Sequence, residues 1–193
     1  DRIITSNSHI TPATVEERPE IFGEMDVVKS LESVPGVKFH SDGSTFYYVR
    51  GGHRDQNLVF IDDAPIYNPS HMLGVFSTII PDAVNDITLY KGNMPASLGG
   101  RLSSVLDVRT RRGNNQHFSA WANLGLISTN IGFEGPFKKN TSSYLLSGRF
   151  SSLQWFVRRA NENIEQFNFH DLTGKMNFRL NTNAARPERS IAT

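Results

Sequence analysis

The chain has 193 residues, 38% of them hydrophobic and 20% charged, with a formal net charge of +1. This length fits one domain, or one domain and part of a second, with apolar material for a core. The near-neutral balance argues against a dedicated nucleic-acid binder. The absence of cysteine excludes a disulfide scaffold, a thiolate zinc site and a cysteine nucleophile. No window reaches the ~18 apolar residues of a membrane-spanning helix. The chain opens on Asp1 without a charged start leading into an apolar run, so a processed chain or an excised segment is expected.

Chemistry shifts near residue 117. Seven of the nine prolines lie before it, whereas both tryptophans and eight of the 13 phenylalanines lie after it. Aromatic residues favour strands. Residues 1–20 are polar, contain Pro12 and Pro19, and are expected to be extended. From Gly23 to Val34, the spacing of Val27, Val28, Leu31 and Val34 predicts a helix. Glu24 and Asp26 favour its first turn, and Pro35-Gly36 stops it. Strands are predicted at Thr45–Val49, Leu58–Ile61, Ala64–Ile66, Ile87–Tyr90 and Val105–Val108, with short helical turns around Pro81–Val84 and a turn at Gly99-Gly100. Asp62-Asp63 predicts a two-residue hairpin turn, slightly strained because Asp accepts positive φ less readily than Gly. Arg109 to Gln116 is polar and bears Gly and Asn, as linkers do.

Beyond the linker the pattern has a period of two. Leu172, Gly174, Met176, Phe178 and Leu180 alternate with Thr173, Lys175, Asn177 and Arg179, so that the polar face carries two cations. Ala120, Ala122, Leu124 and Leu126 alternate in the same way, and Ser143–Phe150 does so more weakly. Gly135-Pro136 and Lys138-Lys139-Asn140 are read as a turn. Strands of about ten residues with this period build membrane barrels. They also build soluble antiparallel sheets with one wet face, and the pattern alone favours the soluble sheet.

Six blocks in register carry a resemblance. Val34–Val37, Tyr48-Val-Arg-Gly-Gly52, Asp55–Leu58, Ile61-Asp-Asp-Ala-Pro-Ile66, Val84–Gly92 and Gly99–Val108 together resemble the plug domain of TonB-dependent outer-membrane receptors. Tyr67-Asn-Pro-Ser-His71 and the Gly99 block look like the Bacteroidetes subclass. Leu126–Thr129, Phe133–Pro136 and Ser147–Arg149 look like the first two barrel strands, and Phe169–Leu180 like the third. This reverses the preference for a soluble sheet. The implied fold is an α+β plug, a small mixed sheet with short helices, followed by antiparallel strands from the start of a transmembrane β-barrel. The implied division is an extended segment at 1–20, plug at 21–110, linker at 111–117 and incomplete barrel at 118–193.

The resemblance also implies a role. The chain would be the gate of an outer-membrane transporter in a Gram-negative bacterium, with the plug inside the barrel lumen. Its partners would be TonB in the periplasm, through a box not identifiable here, an unknown extracellular nutrient ligand, and lipid around the barrel. Arg50 and Lys91 match the cations that pair with barrel carboxylates and lock the plug in this family. His40, Ser41 and Asp42, with Tyr67, Asn68 and His71, fall in loops that would face the ligand. Three positions depart from the family pattern: Asp63 replaces the usual hairpin Gly, Gly52 a frequent aromatic, and Lys91 the Arg of siderophore receptors. On their own chemistry, Arg50 and Lys91 are solvated strand-end charges and the loop residues are ordinary turn residues. Asp62, Asp63 and His71 lack the geometry of a metal site. No cofactor is implied, and nothing pairs a nucleophile with a base, so no enzyme is expected. A soluble periplasmic or extracellular α+β ligand-binding module remains the alternative.

Overall fold

The computed structural model describes residues 7–11, 25–92, 94–153, 157 and 168–179. Its strands, in chain order, are β1 (Asn7–Ile10), β2 (Val37–Phe39), β3 (Tyr47–Val49), β4 (Asn57–Ile61), β5 (Ala64–Ile66), β6 (Ser70–His71), β7 (Phe76–Ser77), β8 (Val84–Tyr90), β9 (Ser104–Thr110), β10 (Ser119–Leu124), β11 (Ser128–Lys138), β12 (Ser142–Ser151) and β13 (His170–Phe178). They form a five-stranded sheet ordered β1-β8-β9-β4-β5 and a four-stranded sheet β10-β11-β12-β13, with two small hairpins, β2-β3 and β6-β7.

The five-stranded sheet is mixed. β9 runs parallel to β4 and antiparallel to β8. Its central place is written in its composition: Val105, Leu106 and Val108 are all buried, so both faces of the strand are covered. One face packs Ile87, Leu89, Leu106 and Val108 against Val27, Val28, Leu31 and Val34. The other covers Leu58, Leu98 and Val105. Burial of each such side chain stabilises by about 1.5–3 kcal/mol. The extended N-terminal segment contributes β1 to this sheet, pairing Asn7–Ile10 with Tyr90–Ile87 and burying Ile10. Pro12, Pro19 and the rest of 12–20 lie outside the described residues.

The helix expected from Gly23 is shorter and tighter. Residues 23 and 24 lie outside the described residues, and Lys29–Ser33 is a 3-10 helix. The apolar spacing nonetheless selects the right core. Asp26 stands at the start of that turn, as expected, and is buried there. Its Oδ1 accepts from the Val28 and Lys29 amides at 2.8 and 3.3 Å, while Oδ2 accepts from the Ser77 amide at 2.6 Å. One carboxylate thus winds the turn and fastens it to β7. The helical elements among residues 25–110 are all 3-10 turns, so helix contributes less than the α+β expectation implied.

The Asp62-Asp63 turn has the expected two-residue form, with φ of 47° and 70°. Beyond the linker, four strands stand where three were expected. Gly135 and Pro136 are not in a turn. They lie inside β11, where Pro136 pairs with Ser143 beside a register shift, and the chain turns at Lys139-Asn140, within the second part of the expected turn. A proline in a sheet is tolerated at such an irregularity. Leu180 lies outside the described residues.

Burial in the four-stranded sheet is inverted relative to a soluble sheet. Leu124 is 85% exposed, Leu172 77%, Met176 68% and Phe178 60%. Ile131, Phe133, Leu146 and Phe150 are exposed on the same face. The opposite face carries Ser143, Ser147, Arg149 and Glu134, all buried against the N-terminal domain. The alternation was legible; its direction is set by what covers each face.

Candidate functional site

Contact between the two sheets is built from charged and polar groups with two apolar patches. In the first patch, Phe76 stacks on Phe169 at 5.7 Å, Ile127 packs beside them, and Met72 lies against the group. In the second, Ile80, Ala83 and Leu145 meet Trp121, which lies over Gly132. A methyl group on Gly132 would come within 2.2 Å of that indole.

Ionic contacts sit at three levels. Arg149, with a side chain that is 0% exposed, pairs with its cross-strand neighbour Asp171 through Nε at 3.0 Å and a terminal nitrogen at 2.7 Å. The same guanidinium donates to the Ser77 carbonyl. The other Asp171 oxygen lies 2.6 Å from His71 Nε2, and the His71 ring stacks on Phe169 at 5.1 Å. At the second level, Arg111 donates to Glu134 at 2.7 Å and to the Asp82 carbonyl at 3.1 Å. Asp82 in turn accepts from Asn123 and Asn130 at 3.0 and 3.4 Å.

At the third level, Lys175 Nζ lies 2.9 Å from both Asp62 carboxylate oxygens and 3.0 Å from the Thr110 carbonyl and hydroxyl oxygens. Thr110 adds its amide to Asp62 Oδ1 at 3.1 Å and its hydroxyl to Oδ2. Burial pushes the Asp62 pKa up, but the Thr110 and Lys175 hydrogen bonds outweigh it and hold the group below the ordinary value. Asp63 points the other way. Its two oxygens each take a 2.7 Å hydrogen bond from Arg109, which holds its pKa low, and Arg109 also donates to Asp107. Asp62, Asp63 and His71 therefore bond to three separate partners, Lys175, Arg109 and Asp171. The described residues contain no cluster suited to a metal.

Arg50 and Lys91 lie at one corner. Arg50 has φ 49° and reaches over Gly92. Lys91 is buried and donates to the Pro35 carbonyl at 3.0 Å. Burial, and then the neighbouring Arg50 charge, lower the Lys91 pKa. Neither cation meets a carboxylate among the described residues.

The two candidate loops border adjoining grooves. His40, Ser41 and Asp42 line a groove of about 450 Å³ with Tyr48, Leu73 and Val75. Tyr67 and Asn68 line one of about 280 Å³ with Asn57 and Arg101. Phe46 and Arg54 border both grooves, with the guanidinium 4.1 Å from the ring centre. Leu73 stands at the rim with φ 58° and 97% exposure. His71 belongs to this segment in sequence, but its ring is engaged by Asp171 and Phe169.

Sequence reading missed Arg149, Asp171, Glu134, Arg111 and Asp82. The signal available was the polar face itself, where charges recur between apolar neighbours. Lys175 was seen there as a cation without a partner.

The profile of the TonB-dependent Receptor Plug Domain family matches residues 4–104. A comparison with curated proteins finds no match. The chain is similar in structure to a mutant of the ferric enterobactin receptor PfeA from Pseudomonas aeruginosa, with 17% identity and a TM-score of 0.60, over 92% of this chain and 31% of that one. It is similar to the siderophore receptor PirA from Acinetobacter baumannii, with 19% identity and a TM-score of 0.54, over 76% and 24%. It is also similar to the FrpB iron transporter from Neisseria meningitidis, with 20% identity and a TM-score of 0.51, over 78% and 25%. At these identities the likeness is one of fold, and the chain spans less than a third of those receptors.

Proposed function

This chain belongs to the TonB-dependent receptor plug family, and from that premise we propose that it is the plug and first wall strands of an outer-membrane transporter in a Gram-negative bacterium. The single observation that carries this reading is the inverted sheet. Its outward face is apolar and bare, as a lipid-facing surface is, while its inward face is polar and covered by the N-terminal domain. A soluble binding module would bury the face that is exposed here.

In this reading the plug fills the lumen, and substrate crosses when an outside ligand and a periplasmic TonB together displace or reshape it. Arg50 and Lys91 are the family lock, awaiting carboxylates from wall strands beyond this chain. Two like charges at one corner oppose each other, and an acidic partner would relieve that repulsion. His40, Ser41, Asp42, Tyr67 and Asn68, with His71 at the base of its loop, form the outward ligand face. The 67–71 segment and the Gly99–Val108 block favour the Bacteroidetes type within the family. Deletion of the plug from the full-length receptor is the test. Cells carrying the deletion should admit vancomycin, which the intact outer membrane excludes; unchanged resistance with a correctly inserted barrel would overturn the reading.

A further inference from the structure

The two principal ion clusters between plug and wall differ in what each leaves behind if the plug moves. Arg149 and Asp171 are cross-strand neighbours on β12 and β13, so their pair survives plug movement as a unit of the wall. Among the described residues Lys175 has no such companion. The four described oxygens within 3.0 Å of its ammonium belong to the plug, two from Asp62 and two from Thr110. Movement of the plug would strip Lys175 of these partners and leave Asp62 with Thr110 alone. The hairpin fixes this contact, because positive φ at both turn residues sends Asp62 toward the wall while Arg109 holds Asp63 on the plug. Thr110 ends β9, the central strand, and is itself buried, so the acceptor set is carried by a rigid element. The cluster borders a recess of about 810 Å³ between plug and wall, also lined by Arg111, Glu134 and Asp86.

We propose that Lys175, Asp62 and Thr110 form a latch that holds the plug against strand β13, opposite in polarity to the Arg50–Lys91 lock. Here the wall supplies the cation and the plug the carboxylate. The inference rests on the reading of this chain as a plug within a barrel. A wall cation whose described partners all belong to the plug exerts its full effect on plug position and little on the wall. The Arg149–Asp171 pair is, by contrast, a fixed point of the wall on which His71 and the Ser77 carbonyl rest.

The test uses the full-length receptor in an outer membrane with vancomycin as the probe, and needs no knowledge of the natural ligand. Lys175→Ala should raise the open population about fivefold, read as increased vancomycin sensitivity, which corresponds to ~1 kcal/mol. Asp62→Asn keeps the shape and the tolerance of positive φ but removes the charge, and should leak similarly. The double variant should leak no more than the worse single one, because both remove one interaction. Lys175→Arg should restore most of the barrier. Barrel insertion, read from heat-modifiable gel mobility, should be unchanged in all of them. A plug-deleted receptor provides the reference: if it leaks while Lys175→Ala and Asp62→Asn stay tight, the latch is refuted and the plug reading stands. If the plug-deleted receptor is also tight, both fail. Additive leakage in the double variant would likewise refute the latch, since the two residues would then act separately.

Discussion

The plug sheet and the wall sheet are made from the same alternation and use it in opposite senses. In the plug, Ile87, Leu89, Leu106 and Val108 turn inward and are fully buried. In the wall, Leu172, Met176 and Phe178 turn outward, while Thr173, Lys175 and Asn177 of the same strand face the plug. A period of two fixes which residues share a face, and says nothing about which face is dry. In water the apolar face seeks cover. If lipid covers the outward face, the polar face must be satisfied by protein; three levels of ionic and amide contacts meet much of that demand, while Asn130 Oδ1, Ser147 Oγ and one Arg149 terminal nitrogen find no partner among the described residues. The wall sheet is therefore held to the plug by groups that a soluble sheet would leave in solvent.

The largest expected effects test that opposition directly. Leu106→Ala in the plug should cost about 2–5 kcal/mol, the range for emptying a packed core site. Leu172→Ala in the wall should cost almost nothing, because the side chain is exposed rather than packed in a core. Leu172→Arg should cost about 2–4 kcal/mol if the position is near mid-membrane, and less near an interface. Urea unfolding of a 1–117 fragment would measure the first, and unfolding of the intact receptor from lipid vesicles the other two. A Leu172→Ala cost equal to that of Leu106→Ala would mean that the outward face is covered by protein.

Next in size are the close backbone approaches where the two regions meet. Gly113 has φ 78°, and a methyl group there would stand 2.3 Å from the Tyr144 carbonyl oxygen of β12. Backbone cannot step aside as a flexible side chain can. Gly113→Ala should therefore cost more than the ~1–2 kcal/mol of a left-handed residue alone. Gly132→Ala meets a side chain, the Trp121 ring, which has room to shift only by disturbing Ile80, Ala83 and Leu145. The expected order is Gly113→Ala worse than Gly132→Ala, measured as receptor yield and as unfolding midpoint. The reverse order would place the tighter junction at the indole.

How much of this was readable from sequence differs between the regions for a physical reason. Plug strands β4, β5, β8 and β9, the Asp62-Asp63 turn and the apolar quartet Val27, Val28, Leu31 and Val34 follow from local composition and spacing. β1 was missed as a strand because its residues are polar and its pairing with β8 is long-range. The link from Asp26 to β7 was not legible because its second oxygen binds Ser77, 51 positions away. Pro136 was read as a turn because proline seldom enters a sheet; the register shift beside it accommodates the missing donor. The contacts at Arg149, Asp171 and Lys175 pair residues with partners up to 113 positions away, which no local pattern encodes. The Asp62-Asp63 hairpin was legible as a turn, but not as the place where plug and wall meet.

That hairpin gives the smallest expected effects and separates its two acids. Both hold positive φ, so Gly would relieve strain at either position. Asp63→Gly loses an exposed contact to Arg109, which keeps Asp107, so the substitution should be close to neutral. Asp62→Gly loses the Thr110 and Lys175 hydrogen bonds, so relief of strain is outweighed and stability falls. Acid should reveal the same division. The Asp62 pKa is lowered, so its contribution is present above the ordinary carboxylate value of about 3.9 and is lost as pH falls below it. Asp107 behaves oppositely: burial raises its pKa against the pull of Arg109, so its ionisation opposes folding at neutral pH and acidification relieves the strain. On acidification the Asp107 cost should therefore disappear first and the Asp62 contribution second. Asp62→Asn should be less stable than the parent near neutrality, by about 1 kcal/mol or less given its partial exposure, and the gap should close below pH ~4. In a 1–117 fragment, which lacks Lys175 but keeps Thr110, that gap should be smaller at every pH. Urea midpoints for fragment and receptor across this range would decide it. An equal gap in the two would mean that the wall contributes nothing to Asp62, and the contact between the regions would then rest on Arg111–Glu134 and His71–Asp171.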